Sequence, residues 1–154
     1  KKIKDIKFTK GIFEGLKRIQ RLNYKIYIVT NQSGVGRGYL AEKKLKKIQK
    51  FIQKTFLKER IKLTKILYCP HDKKENCKCR KPKIGLIKNA IKGKKIHLKK
   101  SYMIGDRASD IEAGYRVGCK TIFINRNYSE LKPKKQDKTV KSLNAAVNYI
   151  LKVN

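Results

Sequence analysis

Apolar residues recur at intervals of three and four at Ile12, Phe13, Leu16, Ile19 and Leu22, which predicts a helix over residues 11–22. The period then changes. Residues 24–30, YKIYIVT, are β-branched and aromatic and read as a strand that runs into a glycine-rich polar loop, NQSGVGRG. Leu45, Ile48, Ile52, Phe56 and Leu57 restore the helical spacing and predict an amphipathic helix over 41–61 with lysines on its wet face. Further on, the pattern predicts strands over 65–68, 101–105 and 119–124, with helices over 84–91, 111–117 and 143–151. Residues 132–138 read as a basic polar linker to the last helix.

Strands of nearly continuous apolar character that alternate with helices imply a parallel sheet covered on both faces. The expected fold class is therefore α/β, a Rossmann-like doubly wound parallel sheet forming a single domain over residues 1–154. Such sheets bind ligands beyond the carboxyl ends of their strands. Three predicted strand ends carry polar signals: Thr30-Asn31, the loop from Cys69, and Gly105-Asp106.

Composition narrows the partners. The sequence has no run of 18 apolar residues and no secretory signal in its first thirty positions, so a cytoplasmic protein without a membrane partner is expected, as a monomer. Lys plus Arg total 42 against 11 Asp plus Glu, a formal net charge of +31, which raises nucleic acid as a partner. Only eight of those basic residues are arginine, however, and the lysines are scattered over every segment without forming a stripe. Specific phosphate and base contacts favour the planar guanidinium fork, so a solvated lysine-rich surface is the preferred reading.

Three stretches carry chemistry. Residues 69–79 hold Cys69, His71, Cys77 and Cys79 in the spacing C-x-H-x5-C-x-C. Three thiolates and an imidazole suit tetrahedral zinc, and four protein ligands close the coordination sphere, so the metal expected here is structural. His97 and Cys119 stand alone and read as a surface residue and a small core residue. Second, TNQSG at 30–34 lies at a strand end, where a hydroxyl and successive backbone N–H groups can cradle phosphoryl oxygens, although the same residues also make an ordinary turn. Third, in GDRASD at 105–110, Asp106 and Asp110 follow a strand. Carboxylates there suit magnesium, which takes one or two of them and keeps water or phosphate as its other ligands; the alternative is a helix cap.

A strand-end Thr-Asn, a basic Arg80-Lys81 pair and a strand-end Gly-Asp-x-x-x-Asp, in that order, resemble the haloacid dehalogenase superfamily of aspartyl-nucleophile phosphatases. TNQSGVGRG, CPH with CKCRKP, and SYMIGDRASDIEAG with GCKTIFI resemble its D-glycero-D-manno-heptose 1,7-bisphosphate 7-phosphatase branch, with histidinol-phosphate phosphatase a close relative. The resemblance spans residues 8–126. It implies that Thr30 and Asn31 bind the transferring phosphoryl group, completed by Gln32 and Ser33, and that Lys81 neutralises its charge. Arg80 and Arg107 would contact the substrate, and Arg37 would favour a second anionic group on it. Asp106 would hold catalytic Mg2+, and Cys69, His71, Cys77 and Cys79 structural Zn2+. The substrate implied is a phosphorylated sugar.

The family's nucleophile and general acid sit in an Asp-x-Asp-Gly-Thr strand upstream of everything here, and no such element occurs in this sequence. Asp5 is followed two residues on by Lys7 and not by a second aspartate, and the chain starts Lys1-Lys2 with Met103 as its only methionine. A strand and loop of about 20 residues are therefore expected to precede Lys1 in an active enzyme. Without them the chain is expected to be inactive and its sheet to lack a strand near the centre. The competing expectations are an inactive remnant that still folds around zinc, and a lysine-rich nucleic-acid-binding protein or end-processing phosphatase.

Overall fold

The computed structural model describes residues 3–154, so the lysines at positions 1 and 2 lie outside it. Every helix and strand expected from periodicity forms, with boundaries shifted by a few residues. Helix α1 (Ile12–Arg21) leads to β1 (Ile26–Asn31), a one-turn helix α2 (Ser33–Gly36), α3 (Glu42–Lys58) and β2 (Leu63–Cys69). Then follow α4 (Gly85–Ile91), β3 (Tyr102–Gly105), α5 (Ala108–Val117), β4 (Lys120–Ile124), β5 (Lys138–Val140) and α6 (Leu143–Lys152). No described helix is long and apolar enough to cross a membrane.

Strand β5 and helix α2 were not expected. Residues 132–138 read as linker because they are lysine-rich, yet Asp137 sews their end to the sheet. Its carboxylate accepts from both the N–H (2.6 Å) and the hydroxyl (2.7 Å) of Thr121, and β5 then pairs parallel to β4. A three-residue strand leaves no periodic trace for the sequence to show.

All pairings are parallel, as the alternation implies, but the strands form two sheets, β1-β2 and β3-β4-β5. Each half has its own core. Ile12, Ile19, Ile122, Ala146, Val147 and Ile150 join α1 and α6 to one face of β4. Leu67, Cys69, Leu86 and Ala90 join α4 to β2. Strands β1 and β3, each at an edge of its sheet, are half-buried throughout, whereas β4, the middle strand of the three, buries four successive residues. Two features tie the halves together. The Phe8 ring lies tilted against Phe13 at 5.0 Å between centroids and stacks on Phe51 at 6.4 Å, and Phe13 meets Phe56 edge-on at 5.7 Å, which joins α1 to α3. At the carboxyl ends of the strands, Lys81 from the loop after β2 pairs with Asp110 of α5.

Candidate active site

The polar residues expected at strand ends do gather at one edge of the molecule. At the end of β1, the Asn31 side chain clamps the main chain of Lys81: its Nδ2 donates to the Lys81 carbonyl and its Oδ1 accepts from the Lys81 N–H, both at 3.1 Å. Gln32 donates from Nε2 to the Thr30 hydroxyl at 3.1 Å, and its backbone N–H reaches the Cys69 carbonyl at 2.7 Å. The following turn lies flat on the cysteine loop, where the Gly36 N–H donates to the Pro70 carbonyl at 3.0 Å. Only glycine fits that approach, because a Cβ at position 36 would stand 2.7 Å from the same carbonyl oxygen. Arg37 donates to the Ser33 hydroxyl at 3.3 Å and pairs with Asp72 at 3.3 Å. The structure holds Thr30, Asn31, Gln32, Ser33 and Arg37 in one turn and adds Asp72 to it, which nothing in its sequence context marks.

In the cysteine loop, Sγ of Cys79 lies 3.1 Å from that of Cys69 and 3.4 Å from that of Cys77, and the Cys69 and Cys77 sulfurs are 3.5 Å apart. Nδ1 of His71 is 3.2 Å from Cys79 Sγ and 3.5 Å from Cys69 Sγ. A tetrahedral zinc with bonds of about 2.3 Å to sulfur holds its ligand atoms roughly 3.5–3.8 Å apart, so the four donors fit zinc with a small expansion. They are the only group of three or more metal-ligating side chains close enough to share an ion among the described residues. Without metal, burial pushes the Cys69 thiol up to about 12, with the Cys79 hydrogen bond adding to it, and burial likewise raises Cys79. Burial also opposes ionisation of Cys77, but hydrogen bonds from the Arg80 N–H and the neighbouring thiols outweigh it and bring Cys77 to about 7.

The loop feeds two cations into the site. Arg80 is anchored by its Nη1 to the His71 carbonyl at 3.2 Å. Lys81 is 8 % exposed; its ammonium donates to the Val29 carbonyl at 2.5 Å and lies 2.8 Å from Asp110 Oδ1. Asp110 therefore acts here as an ion-pair partner and helix cap. One oxygen is committed to Lys81, and the other accepts from the Arg107 N–H at 3.2 Å, capping α5. Gly105 makes that tuck possible, since a Cβ there would lie 2.2 Å from the Asp110 Cβ.

Asp106 stands at the end of β3, where its Oδ2 accepts from the Tyr128 hydroxyl at 3.2 Å. Its other oxygen can serve as the single carboxylate of a magnesium site whose remaining ligands are water and phosphate. Arg107 stacks beneath the Tyr128 ring, 4.0 Å from its centroid, and pairs with Glu130, whose hydrogen bond and charge raise the guanidinium's already high pKa. Tyr128 and Glu130 lie in a loop that sequence reading passed over as connecting chain.

Residues 78–146 match the profile of the HAD-hydrolase-like family. A D-glycero-beta-D-manno-heptose-1,7-bisphosphate 7-phosphatase from Helicobacter pylori is 45% identical over 117 residues, 75% of this chain and 67% of the relative. The chain belongs to the heptose-bisphosphate phosphatase family of haloacid dehalogenase-like hydrolases. A second family member, from Haemophilus ducreyi, is 33% identical and matches over 99% of this chain and 87% of its own length. By contrast, the histidine biosynthesis bifunctional protein HisB of Blochmanniella floridana, 38% identical, matches 68% of this chain but only 29% of its own length. The fold agrees with that of the D,D-heptose 1,7-bisphosphate phosphatase of B. bronchiseptica, solved with magnesium and phosphate. That structure has a TM-score of 0.87 at 21% identity and covers all of this chain and 89% of its own.

Proposed function

We propose that this family member removes the 7-phosphate of D-glycero-D-manno-heptose 1,7-bisphosphate, and that the Asn31–Lys81 clamp is central to it. That clamp brings the phosphate-binding turn, the zinc-loop cations and the end of β1 to one point. The turn at Thr30, Asn31, Gln32 and Ser33 holds the transferring phosphoryl group, while Arg80, Lys81 and Arg107 offset the charge spread over its oxygens. Arg37 favours a substrate with a second anionic group. Cys69, His71, Cys77 and Cys79 would hold zinc with four protein ligands, which would fix the loop carrying Arg80 and Lys81 and leave no position for chemistry. Magnesium bound at Asp106 would supply further charge neutralisation at phosphorus.

The attacking carboxylate belongs, on this reading, to a parallel strand lying between β1 and β3. Two separate sheets whose edge strands β1 and β3 are only half-buried, and a β1 carbonyl taken up by a lysine side chain, support that placement. Its first aspartate attacks phosphorus, forming the aspartyl phosphate and expelling the sugar alkoxide. A second carboxylic acid protonates that alkoxide, and as carboxylate then draws a proton from the water that hydrolyses the acyl phosphate. We also place the protein in the cytoplasm, where thiols stay reduced for zinc, as a monomer with no nucleic-acid partner.

The test is magnesium-dependent phosphate release from the heptose bisphosphate and from histidinol phosphate by the protein expressed from its complete reading frame. A higher kcat/KM on the heptose bisphosphate is expected, and no release from either refutes the proposal. The partial match to the histidine-pathway protein makes the reverse preference the second reading.

A further inference from the structure

The segment after β4 turns back over the end of β3. The Asn125 N–H is held by the Val140 carbonyl at 2.8 Å, and Asn127 adopts a left-handed φ of 55° with its N–H on Asn125 Oδ1 at 3.0 Å. Tyr128, Glu130 and Leu131 then line a small cavity together with Asp106, Arg107 and Phe123. Within it Tyr128 performs two tasks. Its hydroxyl is tethered to Asp106, and the Arg107 guanidinium carbon sits over its ring, 4.0 Å from the centroid. Glu130, 64 % exposed at its side chain, pairs with Nη1 of the same guanidinium.

We propose that Tyr128 is a positioning residue for Arg107, and that the Glu130 carboxylate occupies Arg107 in place of an anionic group of the substrate until that group displaces it. A guanidinium has a planar fork of donors and binds phosphate and carboxylate through the same face. The Glu130 carboxylate is well solvated, so releasing Arg107 requires little desolvation, and an exposed pair of this kind is weak enough to exchange. The Tyr128 ring keeps the guanidinium in one plane while the anions exchange, which lowers the ordering cost of binding. This rests on the reading that Arg107 receives an anionic group of the sugar phosphate.

The experiment is calorimetric binding of D-glycero-D-manno-heptose 1,7-bisphosphate to the zinc-loaded protein in magnesium-free buffer near physiological ionic strength. Glu130→Gln is expected to tighten binding about 1.5- to 5-fold. Glu112→Gln, at a carboxylate paired with Arg116 on α5, controls for the added net charge and leaves affinity unchanged. Tyr128→Leu weakens binding about 2- to 5-fold, whereas Tyr128→Phe, which keeps the ring, stays close to the unaltered protein. Arg107→Ala weakens it about tenfold or more. If Glu130 merely braced Arg107, Glu130→Gln would weaken binding, and that result overturns the proposal, as does equal tightening by Glu112→Gln. A full effect of Tyr128→Phe overturns the role given to the ring. An unaffected Arg107→Ala variant instead refutes the placing of Arg107 at the substrate, and absence of binding by the unaltered protein refutes both.

Discussion

The Lys81–Asp110 pair joins the two half-sheets at their site edge, so its removal tests the architecture and the site together. Both side chains are nearly buried, 8 % and 12 % exposed, with a 2.8 Å contact, and the ammonium also holds the Val29 carbonyl. Lys81→Met leaves the Asp110 carboxylate buried with only the Arg107 N–H for a partner, and orphans the Val29 carbonyl. Breaking one side of a buried pair costs about 3–5 kcal/mol. Against a total stability of about 5–15 kcal/mol for a domain, that is a large share. With a urea slope of about 2 kcal/mol per molar, the midpoint of the zinc-loaded protein should fall by roughly 2 M. Asp110→Asn should cost less, because the amide oxygen can still accept from Lys81. The double variant should fall short of the summed losses by about 1–3 kcal/mol, since neither charge is then stranded. A midpoint loss below about 0.5 M for Lys81→Met, or strict additivity in the cycle, would refute the view that this pair bridges the halves.

Zinc uptake should release protons in proportion to the thiols it ionises. At about pH 8, Cys77 is mostly thiolate while Cys69 and Cys79 are protonated, so about two protons should leave per zinc, as read by calorimetry in buffers of different ionisation enthalpy. Release of one or none would mean that fewer cysteines bind. Asp137 titrates below the ordinary carboxylate range because the Thr121 hydroxyl and N–H both donate to it. Its contribution to stability is therefore complete above the usual aspartate pKa of about 4, and drains away as pH falls through its depressed value. Asp137→Asn should cost about 1 kcal/mol at neutral pH and leave acid unfolding less steep; unchanged acid unfolding would count against this role.

Where side chains carried a period, the sequence was enough. Ile12, Leu16 and Ile19 announced α1, the β-branched run to Thr30 announced β1, and the alternation of such segments required parallel strands. The C-x-H-x5-C-x-C spacing likewise determined the metal site, because all four ligands lie within eleven consecutive residues and their loop need only close on itself. Long-range pairing was beyond its reach. Asp110 looked equally suited to magnesium or to a cap. Only the approach of Lys81, 29 positions earlier and on the other half-sheet, made it an ion-pair partner. Tyr128 and Glu130 had no pattern to mark them, and they reach Asp106 and Arg107 because Asn127 turns the chain back beneath them. The strand order within each sheet is equally a tertiary result, since a strand's propensity depends on its own residues, whereas its hydrogen-bonding neighbour depends on what the rest of the fold brings beside it.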